Sequence, residues 1–220
     1  MELTGLHILL TYQCTFECDH CFVWGSPRQS GVLTIEQIHE VLRQAHEIES
    51  MEWVFFEGGE PFLYYPVLLR GVQIATAAGF RVGIVSNAYW ATTPEDALAW
   101  LKPFANLLEE LTVSSDLFHY SEVDSQHARN AAIAAGQLGI QVGQICVAQP
   151  EQTSAPETVG QLPEGEAAVM YRGRAARKLG VRRYHSVVHG AGAGGLALAE
   201  ATQALVEGTI LGDRSEEHTS

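Results

Sequence analysis

The chain has 220 residues, 46% of them hydrophobic, with 13 Lys and Arg against 26 Asp and Glu, giving a net charge of −13. That size and apolar content suit one α/β domain with a substantial core, and the acidic balance argues against nucleic acid as the main partner. Four cysteines, three of them clustered, do not form a secreted disulfide framework; they fit a reducing compartment, and the cytoplasm is the expected location.

The opening "MELTGLHILLTYQC" carries no basic segment, and its apolar run is too short for a signal peptide. No stretch approaches the ~18 apolar residues that span a bilayer. "LHILLTY" (6–12) predicts a buried strand, followed by a loop bearing Cys14, Cys18 and Cys21. Thr34 and Gln37 form a Thr-x-x-Gln capping box that opens a helix. "EWVFFEG" (52–58) is a second strand ending in "GGEP", and the helix after it runs to Gly79, a C-cap residue. "RVGIVSN" (81–87) is the third strand, with Thr93-Pro94 as N-cap and first residue of the next helix. "ELTVSSD" (110–116) precedes a helix over "SEVDSQHARNAAIAAGQLG", and "QVGQICVA" (141–148) is the fifth strand.

Strands alternating with helices predict a parallel sheet with right-handed crossovers. In such sheets the functional loops follow the C-terminal strand ends. The cysteine loop, "GGEP", "SNAYW" and "SSDLFH" each follow a strand, so all four are expected on one rim.

Three thiols spaced Cys14-x3-Cys18-x2-Cys21 fall one short of a structural zinc tetrahedron. They can instead hold three irons of a 4Fe–4S cluster and leave the fourth open. A Cys3His zinc site that recruits His7, His20 or His39 is the alternative, although His20 lies between two of the ligating cysteines. The two glycines of "GGEP" let the backbone approach a ligand closely, and Glu60 offers a carboxylate for an ammonium group.

Taken together, Cys14-x3-Cys18-x2-Cys21 and Gly58-Gly59-Glu60-Pro61 resemble the radical S-adenosylmethionine (SAM) superfamily over about residues 6 to 149. The resemblance implies an α/β fold, a partial (β/α)6 TIM-type barrel with parallel strands. It implies that Cys14, Cys18 and Cys21 ligate a 4Fe–4S cluster whose open iron is chelated by S-adenosyl-L-methionine, with Gly58, Gly59 and Glu60 receiving the SAM ammonium beside Pro61. Ser86 and Asn87 match positions that often contact the methionyl or ribose part, and Ser115 and Asp116 lie near the expected ribose position. His20 stands where the family usually has an aromatic hydrocarbon against adenine. The implied reaction is reductive cleavage of SAM to a 5′-deoxyadenosyl radical, fed by an electron donor such as flavodoxin or ferredoxin. The substrate is an unidentified peptide or small molecule.

Asp116 and His119 are candidates to face that substrate. Phe22, Val23 and Trp24 suit either an apolar shell around the cluster or ordinary core, and Cys146 is expected to be buried and inert. Residues 1–149 form the expected core, 150–166 read as a linker, and 150–213 as a segment that completes the barrel or is fused from elsewhere. The basic run 171–185 reads as the solvated face of a helix. Its "YRGRAARKL" also resembles the segment before an auxiliary-cluster domain in peptide-modifying members of the superfamily, but no such cysteines follow. Gly190-x-Gly192-x-x-Gly195, with Asp213 downstream, has the form of a dinucleotide fingerprint. The final "RSEEHTS" (214–220) resembles translated sequencing adapter. Two rival readings therefore stand beside the radical enzyme: an inactive zinc- or cluster-binding fragment, and a nucleotide-dependent oxidoreductase fragment built on the tail.

Overall fold

The computed structural model describes residues 2–147 and 172–178. The expected linker, the glycine-rich tail and the 214–220 segment lie outside the described residues. Five strands are present: β1 (Gly5–Thr11), β2 (Trp53–Gly58), β3 (Arg81–Ser86), β4 (Glu110–Ser114) and β5 (Gln141–Ile145). Between them run α1 (Ile35–His46), α2 (Tyr65–Ala77), α3 (Pro94–Leu101) and α4 (Gln126–Gln137), and α5 (Gly173–Lys178) follows separately. The sheet is wholly parallel in the order β1-β2-β3-β4-β5. Each crossover advances one strand, the arrangement of an opened α/β barrel.

Local chemistry sets most helix starts. Thr34 and Gln37 exchange both bonds of the capping box, and Thr93 caps α3 through the Asp96 amide with Pro94 at its first position. Gly79 lies one residue past the α2 C-cap, Ala78, with a φ of +91°. α4 starts later than the sequence suggests. Ser115 Oγ donates to the Val123 carbonyl at 2.7 Å and accepts from the Ser125 amide at 2.9 Å. These bonds hold residues 123–125 as a loop, and Ser125 then caps the helix through the Ala128 amide.

The core lies between sheet and helices. Alternate strand residues Ile8, Leu10, Val54, Phe56, Val82, Ile84, Leu111 and Val113 are buried with Ile38, Leu42, Leu68, Val72, Leu101 and the alanines of α4. Burying one such large side chain stabilises the fold by roughly 1.5–3 kcal/mol. Gly71, in the middle of α2, makes room for the Phe56 ring, since a Cβ there would lie 2.9 Å from it. The helix penalty for that glycine is about 1 kcal/mol, less than seating the phenyl ring returns.

Candidate functional site

The cysteine loop leaves β1 at an irregularity between Leu9 and Thr11, which shifts the pairing so that Thr11 meets Gly58. Its two ends are tied together: the Cys14 amide donates to the Ser26 carbonyl at 3.1 Å and the Ser26 amide to the Tyr12 carbonyl at 3.3 Å. The GGEP turn is joined to the same place. The Gly59 and Glu60 amides donate to the carbonyls of Thr11 and Gln13 at 2.7 and 2.8 Å. A Cβ on Gly58 would stand 2.4 Å from the Thr11 oxygen and one on Gly59 2.1 Å from the Gln13 oxygen. Gly58 also adopts a φ of +130°, open to glycine and few other residues. The glycine pair therefore has a structural duty: it lets the end of β2 cross the entrance of the cysteine loop.

Cys14, Cys18 and Cys21 are all free of disulfides. Burial pushes the Cys14 thiol up to about 11 and raises Cys18 further, although the Arg174 charge pulls Cys18 the other way. Buried thiols of this kind become thiolates when a metal supplies the opposing charge. The Cys14 sulfur accepts from the Phe16 amide and from Asn87 Nδ2, each at 3.5 Å, and the Cys21 sulfur from the Gly25 amide at 3.2 Å.

Among the described residues, the group of three or more His, Cys, Asp or Glu side chains whose ligand atoms all lie within 4.8 Å of one another is His20, Asp116 and His119. The three sulfurs do not all lie within that distance of one another. Thiolates around a single zinc lie roughly 3.8 Å apart, given Zn–S bonds of about 2.3 Å; a cluster, which gives each thiolate its own iron, needs the wider spread. Two of the three histidines expected for a zinc site are engaged elsewhere or exposed. His7 pairs with Glu57 at 3.3 Å and stacks on Phe55, and His39 is exposed on α1. The donor set fits an iron–sulfur cluster better than zinc.

Glu60 is fully buried and turned inward. Its Oε1 accepts from the Phe62 amide at 3.1 Å and Ser86 Oγ at 2.9 Å, and its Oε2 from the Asn87 amide at 2.8 Å. Burial pushes its carboxyl up to about 7 against these donors. Glu60 thus clamps the C-terminal ends of β2 and β3 together, and Pro61 opens the 3-10 turn Pro61–Tyr64 behind it. Ser86 spends its hydroxyl on the same clamp and also accepts from Trp90 Nε1 at 3.0 Å. Asn87 reaches the other way, with Nδ2 3.1 Å from Thr15 Oγ1 as well as touching Cys14. Its carbonyl receives the Tyr120 hydroxyl at 2.7 Å, so the loop after β3 bridges the cysteine loop and the loop after β4.

In that last loop Ser115 is committed to Val123 and Ser125, as described above. Asp116 Oδ1 receives His119 Nδ1 at 2.8 Å together with the amides of Phe118 and His119, and its Oδ2 the Val147 amide at 3.2 Å. Burial alone pushes Asp116 up, but the His119 hydrogen bond and neighbouring imidazoles outweigh it and hold its carboxyl below the usual range. The bond through Nδ1 leaves His119 Nε2 for other contacts. His20 packs on Phe118 and His119 at ring-centroid distances of 4.5 and 5.1 Å. Its buried Nδ1 has no protein partner, and burial pushes its pKa down to about 4. A neutral, planar ring with one unused polar atom suits contact with a nucleobase.

The four rim segments expected from the sequence therefore meet. Two readings need correction. Trp24 is 40% exposed with a φ of +61°, so it points out of the loop and forms no inner shell, whereas Val23 is buried. Within the basic run, Arg172, Arg177 and Lys178 are solvated as expected, but Arg174 is 4% exposed. Nothing in the run's composition separates Arg174 from its neighbours; the small residues around it, Gly173 and Ala175, were the only sequence signal.

A family model described as the radical SAM superfamily matches residues 8–118, half of the chain. The chain belongs to the radical SAM superfamily. It is 27% identical over 124 residues, 56% of its length, to the protein YydG of Bacillus subtilis, whose name assigns it to peptide biosynthesis, and covers 39% of that protein. It is 22% identical over 125 residues to an S-adenosylmethionine-dependent nucleotide dehydratase of a Fibrobacter species, covering 50% of this chain and 33% of the relative. Among solved structures, Streptococcus suis SuiB with bound S-adenosylmethionine aligns with a TM-score of 0.52 at 17% identity, over 69% of this chain and 36% of that one. The chain spans less than half the length of these relatives. The SuiB likeness bears on the fold alone, a barrel of the radical SAM type.

Proposed function

We propose that this unit carries a 4Fe–4S cluster on Cys14, Cys18 and Cys21, binds SAM at the open iron, and uses the pair to start radical chemistry on a peptide or small molecule. When bound, cluster and SAM together supply one-electron cleavage of the C5′–S bond and a 5′-deoxyadenosyl radical that takes a hydrogen atom from substrate. The observation that carries the reading is the loop itself: three free cysteines on one loop whose entrance is bonded to GGEP and whose Cys14 is touched by Asn87.

The chain's own residues supply orientation. With the Glu60 carboxylate committed inward and its carbonyl accepting the Leu63 amide at 3.2 Å, the backbone of Gly58 and Gly59 is the part of the turn that would receive the SAM ammonium. On this reading Asn87, beside Cys14, contacts the methionyl part, and Asp116 lies near the ribose. Ser86 and Ser115 frame these positions through their internal bonds. On this reading His20 lies against adenine and His119, held by Asp116, is the candidate to face the substrate. The similarity to YydG supports a peptide substrate. Arg28, Arg177 and Lys178 flank exposed Trp24 at the outer edge of the loop. Arg28 and Lys178 are partly offset by Glu17 and Asp19, but in a chain of net charge −13 this concentration of cations favours an acidic electron carrier such as flavodoxin or ferredoxin.

The test is anaerobic reconstitution. The protein is expected to take up about four irons and, once reduced, to convert SAM to 5′-deoxyadenosine. Stoichiometric zinc without iron sinks the reading. An intact cluster without SAM binding marks an inactive fragment, and nicotinamide or flavin retained after loss of the cysteines favours the tail-based oxidoreductase.

A further inference from the structure

α5 is far from the cysteine loop in sequence and is bound to it by four hydrogen bonds and an ion pair. Three of the bonds come from Arg174: its backbone amide donates to the Cys21 carbonyl at 2.9 Å, and its guanidinium donates through Nη1 to the Cys18 carbonyl at 2.8 Å and through Nη2 to the Gly25 carbonyl at 2.6 Å, with Nη2 also in an ion pair 3.9 Å from Glu17 Oε1. The Ala175 amide adds the fourth, a longer bond to the Cys21 carbonyl at 3.3 Å. The approach is possible because residue 173 is glycine. Its φ is +55°, and a Cβ there would sit 2.4 Å from the Phe22 oxygen. The Arg174 guanidinium thus spans the loop from the carbonyl of the second cysteine to that of Gly25, four residues past the third.

The charge is unusual as well as the geometry. Arginine is almost never fully buried without a partner, yet the acid nearest Arg174 is Glu17, which is 41% exposed on its side chain and also paired with Arg28. The positive charge is therefore only partly offset, and in a buried setting it is weakly screened.

We propose that Arg174 is a positioning residue of the cluster loop and that its fixed charge raises the reduction potential of the cluster held there. The proposal rests on the cluster reading above. A cation buried beside the loop favours the more negative, reduced state of a cluster, and the two guanidinium bonds tie the Cys18 turn to the Gly25 end of the loop, on either side of Cys21.

The test compares the reconstituted full chain with Arg174→Met and Arg174→Lys by potentiometric titration followed by electron paramagnetic resonance, and by the rate of iron loss to a chelator. Arg174→Met is expected to make reduction about tenfold less favourable, a shift of about 59 mV to lower potential for a one-electron couple. Arg174→Lys is expected to keep the wild-type potential but to release iron about tenfold faster, because one ammonium cannot hold both carbonyls. An Arg174→Met potential equal to wild type, or an Arg174→Lys potential shifted as far as that of Arg174→Met, overturns the proposal. Where Arg174→Met holds no iron, Arg174→Lys decides alone: wild-type potential with faster iron loss supports the proposal, and wild-type iron loss overturns it. A wild-type chain that takes up no iron overturns the cluster reading itself, whereas unshifted variants on a normal wild type overturn only the role of Arg174.

Discussion

Glu60→Gln tests the clamp at the heart of the site. The native carboxylate is fully buried and receives three protein donors, from Phe62, Ser86 and Asn87. Burial nevertheless wins, and the group titrates near 7 instead of 4.5. A folded pKa raised above the unfolded one means that the folded chain binds the extra proton. The stability this group contributes is complete below the unfolded pKa and drains away as pH rises through the folded value. With those two values the loss between pH 5.5 and pH 8 comes to about 2 kcal/mol. Glutamine does not titrate. Its Nε2 must replace one carboxylate oxygen and so faces a donor, which costs about 1–3 kcal/mol at the acid end. The assay is urea denaturation of both proteins under reducing conditions at a series of pH values in that range, where the acidic chain stays well charged. The stability advantage of wild type over Glu60→Gln is expected to shrink by about 2 kcal/mol from pH 5.5 to pH 8. Taking the difference removes every other titrating group. Parallel pH profiles for the two proteins would refute the reasoning.

Further expectations concern the loop and its surroundings. Gly59→Ala forces a Cβ to within 2.1 Å of the Gln13 oxygen and is expected to destabilise the chain by about 1–3 kcal/mol in the same denaturation assay, with weakened iron retention because the loop entrance must move. Cys18→Ala is expected to abolish SAM cleavage while circular dichroism shows the barrel intact, since Cys18 lies outside the main hydrophobic core; an unfolded variant would assign the cysteine a structural role instead. Exchanging Arg177 and Lys178 for Glu is expected to slow reduction by flavodoxin and remove its salt dependence. Reduction by dithionite should be unchanged, and a flavodoxin rate insensitive to both changes would remove this face from electron delivery.

The legible part of the site was its chemistry. Cys14, Cys18 and Cys21 lie close together in the chain, and their spacing states the ligand count without a fold. The strand-end rule then brought GGEP, Asn87 and Asp116 to the same rim, because in a parallel sheet the direction of one strand fixes that of all. What stayed hidden was which atoms of these residues face a ligand. Glu60 reads as an open carboxylate, yet its oxygens are taken by groups from β3 and its own turn. Ser115 reads as a site hydroxyl, yet it closes the loop before α4.

The sequence by itself determined the local elements: a Thr34–Gln37 box or a Thr93-Pro94 start is decided within four residues, by hydrogen bonds that need no tertiary partner. It also determined the alternation of strand and helix, through periodicity along the chain. Only the tertiary structure decided that Gly58 and Gly59 are required by the crossing with Thr11 and Gln13. Only the tertiary structure separated Arg174 from the solvated cations beside it, by seating its guanidinium on carbonyls of Cys18 and Gly25. The physical reason is the same in both cases: backbone carbonyls are identical at every residue, so a sequence carries no mark of which ones a distant segment will reach.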